Sequence, residues 1–142
     1  MGYIFAVLAG AFMSIQGVMN TRLSEKVGLF ASNAFVQGTA FLVSLIALLF
    51  VSKINFTAFG EVNKLYLLGG ILGFGITVAV MLSVKALSPT VAISAILVSQ
   101  LLCAAIIDAF GLMDSKQIVF GWNKYIGVGL MIGGVLLFKW KL

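Results

Sequence analysis

Residues 89–112 read PTVAISAILVSQLLCAAIIDAFGL, and this apolar stretch is long enough to cross a bilayer as a helix. It nevertheless carries Ser99, Gln100 and Asp108. A helix surrounded only by lipid gains nothing from an amide or a carboxylate, because each costs free energy in hydrocarbon. We therefore expect one face of this helix to meet protein, water or a ligand, and we expect the function to reside near it.

The whole chain has the composition of a membrane protein. Its 142 residues are 62% hydrophobic and only 9% charged, whereas soluble domains carry about 25% charged residues. The net charge of +5 is therefore attributed to lipid headgroups and membrane orientation rather than to nucleic acid. One Cys and no His give no ligand set for zinc or haem, so we expect no metal and no cofactor. No nucleophile–base pair can be assembled, so we expect no enzyme and no catalytic residue.

Five apolar segments each approach the roughly 20 residues that cross the hydrocarbon core. They cover residues 2–21, 29–51, 65–87, 89–112 and 121–140. Only helices satisfy their backbone polar groups in lipid at such lengths. The sequence therefore predicts an all-α integral membrane fold, with five transmembrane helices in a single domain over residues 1–142.

Local signals mark the ends of several segments. Ser88 followed by Pro89 is typical of a helix start, and Gly111 suits a turn after the fourth segment. The stretch TRLSEKVG, residues 21–28, is expected to be a hydrated connection, with Ser32 as a cap of the second segment. Trp122 and Trp140 lie about 27 Å apart along a helix and predict the two membrane boundaries of the fifth segment.

Polar side chains recur inside the apolar segments, often four residues apart and so on one helix face. We predict that seven of them bind the solute: Gln16, Asn20, Asn33, Gln37, Ser99, Gln100 and Asp108. The competing interpretation is structural. Amides also join neighbouring helices through hydrogen bonds, and a carboxylate near a helix C-terminus opposes the helix dipole, so Asp108 could instead pair with Lys116.

Basic residues give almost no orientation bias. With five spans, one side carries Arg22, Lys26, Lys85, Lys139 and Lys141, and the other carries Lys53, Lys64, Lys116 and Lys124. A protein without bias can insert both ways and pair with an inverted copy, the arrangement that builds a central site in many transporters. We expect a ten-helix antiparallel dimer, with Gly129 and Gly133 as a candidate contact. Packing within one chain, or one orientation fixed by a related chain, remain the alternatives.

Three stretches of the chain resemble the YdcZ-like family, a five-helix branch of the drug/metabolite transporter superfamily. The first runs from Gly10 through Gln16 and Asn20 to Leu23, and the second is VQGT, residues 36–39. The third, and most specific, is the spacing from QLL at 100–102 to DAFGL at 108–112. The glycine-rich last segment, GVGLMIGGVLL, agrees with the closing helix of that family.

The resemblance implies a half-transporter in the inner membrane of a bacterium, completed by a second chain. Two positions depart from the family pattern: Gln37, where a small or aromatic residue is expected, and Ala109, where histidine is frequent. The first segment has Gln16 but no glutamate, unlike the small multidrug members of the superfamily, which puts coupled proton antiport by that route in doubt.

Three functions are compared on this basis. The first is a dimeric half-transporter that moves a small metabolite or drug-like solute by alternating access. The second is a dual-topology channel for a small ion, which the absence of a Lys or Arg ring within a span disfavours. The third is a non-transporting membrane subunit that stabilises a partner. The buried amides favour the transporter, with a neutral, zwitterionic or hydrogen-bonding solute.

Overall fold

Helices make up nearly all of the structure, a computed structural model that describes residues 1–50, 57–118 and 121–140. In these ranges the chain forms α1 (Gly2–Val27), α2 (Leu29–Leu48), α3 (Gly69–Ala86), α4 (Pro89–Phe110) and α5 (Trp122–Lys139). Short 3₁₀ helices precede α3 and follow α4. The described ranges contain no β-strand, which confirms the all-α prediction.

Four segments are long and apolar enough to cross a membrane: α1, α2, Lys64–Ala86 and α4. The apolar part of α5, Trp122–Phe138, is shorter than these, so the prediction of five spans stays a prediction. Trp122 begins α5 and Trp140 follows its last residue, and the two side chains are 85% and 73% exposed. They lie at opposite ends of the helix, and their role as membrane boundaries stays a prediction.

The prediction of a hydrated connection at residues 21–28 is wrong, because α1 continues through it to Val27. Neither Gly nor Pro interrupts residues 21–27, and Arg22 Nη1 lies 3.2 Å from the Glu25 carboxylate one turn later. The helix ends only at Gly28, whose φ of +89° favours glycine. The predicted end of the second span at Val51, together with Lys53 and Lys141, lies outside the described residues.

The predicted ends of α4 are confirmed. The Ser88 hydroxyl accepts a hydrogen bond from the Val91 N–H at 3.4 Å, and Pro89 occupies the first turn. At the other end Gly111 adopts the left-handed conformation, with φ +60°, and its N–H donates to the Ile107 carbonyl. These local signals position Asp108 in the last turn of the helix.

Residues 1–86 form one compact unit. Gly28 alone joins α1 to α2, so the two helices run antiparallel. The pairs Ser32–Met81 and Gln37–Thr77 show that α3 runs antiparallel to α2 and therefore parallel to α1. The C-terminal ends of α1 and α3 and the N-terminal end of α2 consequently meet at one end of this unit, which we call the α1–α2 turn end.

Residues 87–142 form a second compact unit, in which α4 packs against α5. The connection between them folds back onto the end of α4. The Ile118 N–H donates to the Asp108 carbonyl at 2.9 Å, and the Gln117 side-chain amide donates to the Ala109 carbonyl at 2.9 Å. These bonds satisfy carbonyls that a helix end leaves without an intrahelical partner. A single domain over residues 1–142 stays a prediction.

Candidate functional site

The buried side chains of the first unit are mainly polar. Asn20, Thr21, Ser32 and Asn33 are at most 7% exposed, while the large apolar side chains of the same helices mostly point outward. All four lie at the α1–α2 turn end, together with the buried Met81 of α3. A helix bundle in lipid has no reason to bury its apolar side chains, since lipid tails are equally apolar. Polar side chains can therefore occupy the interior of this unit.

Ser32 connects the three helices at this end. Its hydroxyl donates to the Asn20 carbonyl at 3.2 Å and approaches the Met81 sulfur at 3.7 Å. The prediction that Ser32 caps α2 is wrong, because α2 already begins at Leu29 and Gly28 occupies the capping position. Residue 32 lies inside the helix, so its hydroxyl is directed toward α1 and α3.

Asn33 is fully buried, and neither its amide nitrogen nor its amide oxygen has a hydrogen-bond partner among the described residues. An unsatisfied buried donor or acceptor costs about 1–3 kcal/mol. A cost of this kind in a folded protein requires an explanation, such as an ordered water, an ion or a functional role. The Asn33 amide therefore keeps a hydrogen-bond donor and acceptor that no described residue satisfies at the α1–α2 turn end.

Gln37 lies one turn further along α2 and faces α3. Its side-chain nitrogen donates to the Thr77 hydroxyl at 3.4 Å, and the Thr77 hydroxyl donates to the Gly73 carbonyl at 2.9 Å. A Cβ at Gly73 would lie 3.6 Å from the Gln37 nitrogen, so the small residue gives the amide room beside α3. Asn33 and Gln37, predicted to share a face of the second helix, both turn away from the exposed surface.

Gln16 is exposed although it lies one turn before the buried Asn20. In the second unit Ser99 and Gln100 are also exposed, and the Ser99 hydroxyl donates to the carbonyl of Ile96 in its own helix at 2.9 Å. The structure thus gathers Asn20, Asn33 and Gln37 within the first unit. The role of all seven residues in binding solute stays a prediction.

Asp108 is half-buried and lines a cavity of about 530 Å³ between α4 and α5. Lys124, in the first turn of α5, lines the same cavity. The alternative that pairs Asp108 with Lys116 finds no support, because the ion pairs of the described residues do not include that pair and Lys116 is exposed. Antiparallel packing of α4 and α5 brings the last turn of one helix beside the first turn of the next, and this register places Lys124 near Asp108.

Sequence reasoning missed five residues of these two regions: Thr21, Ser32, Thr77, Met81 and Lys124. Thr21 falls within residues 21–28, which were predicted to be a hydrated connection. Lys124 could have been predicted from the sequence. In a tight antiparallel pair of helices, a residue near the start of α5 lies opposite one near the end of α4. Thr77 is one of two hydroxyl residues in α3, which is a weak signal. For Ser32 and Met81 no local signal exists, because their contacts depend on how the helices rotate against one another.

Comparison with known proteins identifies one family. A family model described as "Putative inner membrane exporter, YdcZ" matches residues 1–137. No curated protein matches the chain. No solved structure matches it either.

Proposed function

Because this chain belongs to the YdcZ family of inner membrane exporters, we propose that it is one half of a transporter that moves a small solute out across the inner membrane. Two copies, or one copy and a related chain, would associate in opposite orientations and carry the solute by alternating access. The solute is neutral or zwitterionic and rich in hydrogen-bonding groups, since the polar residues predicted to bind it are mostly amides. The chain has the apolar helices of a multi-pass membrane protein, and its family is one of exporters rather than of enzymes.

The observation that carries this proposal is the fully buried amide of Asn33, which has no hydrogen-bond partner among residues 1–50, 57–118 and 121–140. A structural amide in a membrane protein would complete its hydrogen bonds with neighbouring helices. An amide that binds and releases solute must instead keep its donor and acceptor available. Asn20 of α1 is buried at the same end of the unit and Gln37 lies one turn further along α2, and we assign both to the same solute path as Asn33.

Association with a second chain follows from the number of helices. Five helices of this length can hardly surround a solute path while each keeps a lipid-facing side, whereas ten can. Within the second unit a Cβ at Gly129 or Gly133 would meet no atom within 4 Å, so these glycines leave a smooth strip of α5 that supports their proposed role in the dimer contact. Ser99 and Gln100 of α4 and Gln16 of α1 are further candidates for solute binding under this proposal.

Export is tested by comparing cells that express the chain, cells that express the Asn33→Leu variant and cells with an empty vector. Metabolites in the medium and in the cells are quantified by mass spectrometry at matched protein levels. We expect one or more hydrogen-bonding solutes to accumulate in the medium only with the unaltered chain. Leucine is close to asparagine in size but offers no hydrogen bond. A loss of export in this variant would therefore report the loss of the amide's hydrogen-bonding groups.

Uptake into inverted membrane vesicles then tests the mechanism. Flux of the identified solute that saturates, and that exchanges with unlabelled solute, supports a carrier. Solute profiles that are identical for the chain and the empty vector would contradict export. Electrical conductance far above carrier turnover would contradict alternating access and favour the channel.

A further inference from the structure

The cavity between α4 and α5 is large enough for part of a small amphiphile. Its volume of about 530 Å³ falls in the range of ligand sites, which run from about 300 to 1,000 Å³. Its walls include Leu101, Ala104 and Asp108 of α4 and Lys124, Val128 and Met131 of α5. Both charged side chains lie at one end, and the rest of the lining is apolar or small.

The charged end of the cavity lies where α4 ends and α5 begins. Asp108 is two residues from the end of α4, and Lys124 is two residues after the start of α5. Trp122 and Tyr125 are exposed beside them, with ring centroids 6.2 Å apart. Such aromatic residues are enriched at membrane–water interfaces, so we expect the charges to meet headgroups and the apolar walls to extend into hydrocarbon.

A second groove continues the apolar walls toward the other end of these helices. It is lined by Ser94, Leu97, Gly134 and Phe138 among others, and Met131 lines both grooves. From Asp108 back to Ser94, α4 rises about 21 Å, and one leaflet of the hydrocarbon core is about 15 Å thick. The two grooves together are therefore long enough for one acyl chain.

We propose that the α4–α5 cavity binds a phospholipid with an ethanolamine headgroup. The ammonium of the headgroup donates to the Asp108 carboxylate, its phosphate accepts from the Lys124 ammonium, and one acyl chain lies along Leu101, Val128 and Met131. The paired opposite charges select this lipid. A glycerol headgroup offers no cation to Asp108, and a choline headgroup offers a cation without an N–H to donate. This assigns Asp108 a ligand other than the exported solute, so the inference stands independently of the transport proposal.

Native mass spectrometry of the full chain in a mild detergent tests this assignment. The chain is incubated with equal amounts of phosphatidylethanolamine, phosphatidylcholine and phosphatidylglycerol that carry the same acyl chains. We expect the ethanolamine lipid to be retained about tenfold over the other two, the scale of one hydrogen bond to a charged group. Equal retention of all three lipids would overturn the proposal.

Charge variants test the headgroup contacts. We expect Asp108→Asn to abolish the preference for ethanolamine over choline lipid, and Lys124→Gln to lower retention of all three lipids. Asp114→Asn and Lys116→Gln are matched controls, because they remove the same charges from the connection after α4 and neither residue lines the cavity. Circular dichroism verifies that every variant keeps its helical content. Controls with the same effect as the cavity variants would contradict the assignment.

A steric variant tests the apolar part without changing charge. Gly127 lines the cavity, and a Cβ there would meet no atom within 4 Å, so Gly127→Leu fills the cavity without straining the fold. We expect at least a fivefold loss of retained lipid, on the order of one kcal/mol. Gly75→Leu is the control, since it adds the same side chain in open space on α3. If Gly127→Leu retains lipid as the control does, the acyl chain lies elsewhere and the proposal fails.

Discussion

Asn33 gives the sharpest prediction for a single residue, because its substitution should increase stability. The side chain is buried with both polar atoms unpartnered among the described residues. Replacing such a group by an apolar one of similar shape removes a desolvation cost. We expect Asn33→Leu to raise the free energy of unfolding by about 1–2 kcal/mol, measured by thermal unfolding in detergent, while export falls.

Its neighbour Ser32 provides the control of opposite sign. Ser32 is equally buried, but its hydroxyl donates to the Asn20 carbonyl. Ser32→Ala should therefore lower the free energy of unfolding, by about 1 kcal/mol. If Asn33→Leu destabilises the protein as Ser32→Ala does, the Asn33 amide has a structural partner and is not available to solute.

Gly17 is where α1 and α3 approach most closely among the described glycine contacts. A Cβ at Gly17 would lie 3.0 Å from Val80 Cγ1, and valine in a helix has one strongly preferred rotamer and cannot easily move. We expect Gly17→Leu to lower the free energy of unfolding by about 1–3 kcal/mol, through overpacking. Gly10→Leu, two turns earlier on the same helix and in open space, should leave the thermal midpoint unchanged.

The loop that caps α4 is the element on which the position of Asp108 depends. Gly111 has φ +60°, and a Cβ there would lie 3.3 Å from the Ser115 carbonyl oxygen. We expect Gly111→Ala to destabilise the protein by about 1–2 kcal/mol, since an L side chain is unfavourable in this conformation. Hydrogen exchange should accelerate at the N–H groups of Gly111 and Ile118, which bond to the end of α4.

Gly60→Ala is the corresponding control, because Gly60 lies in open space and outside the left-handed region. It should leave both the thermal midpoint and the exchange rates unchanged. Faster exchange with Gly60→Ala and unchanged exchange with Gly111→Ala would show that the loop does not hold the end of α4.

At the scale of the whole molecule, pairing of inverted copies requires that the chain inserts both ways. The nearly even distribution of Lys and Arg predicts this, since orientation follows their excess on one side. A reporter fused to the C-terminus should be found on both sides of the membrane in one population of cells. A reporter confined to one side would exclude self-pairing and require a related chain as the partner.

The dimer contact is tested on α5. Gly129→Leu together with Gly133→Leu adds two large side chains to the glycine surface of α5, where a Cβ meets no atom within 4 Å. If this surface packs against a second copy, we expect the cross-linked dimer fraction to fall at least fivefold, because small residues allow close helix approach in membranes. Gly75→Leu should leave that fraction unchanged. Equal dimer fractions for both variants would place the interface on another helix.

The sequence by itself determined the membrane class, the helical fold and most helix ends. Each follows from composition or from residues within a turn of one another: the apolar runs, Pro89 after Ser88, and Gly111 after α4. The start of α2 at Leu29 agrees with the predicted second segment, but the cap was assigned to Ser32 instead of Gly28. The extension of α1 past Thr21 was missed, because apolar content was taken as the limit of the helix.

Only the tertiary structure decided which polar side chains are buried and what they meet. Gln16 and Asn20 look alike in the sequence, yet the first is exposed and the second is buried. In a soluble protein the apolar face of a helix is the buried one, so the spacing of apolar residues identifies it. In a membrane the protein interior and the lipid are both apolar, and the spacing no longer shows which face is buried. The rotation of α1, α2 and α3 against one another buried Asn33, and the antiparallel register of α4 and α5 placed Lys124 in the cavity of Asp108.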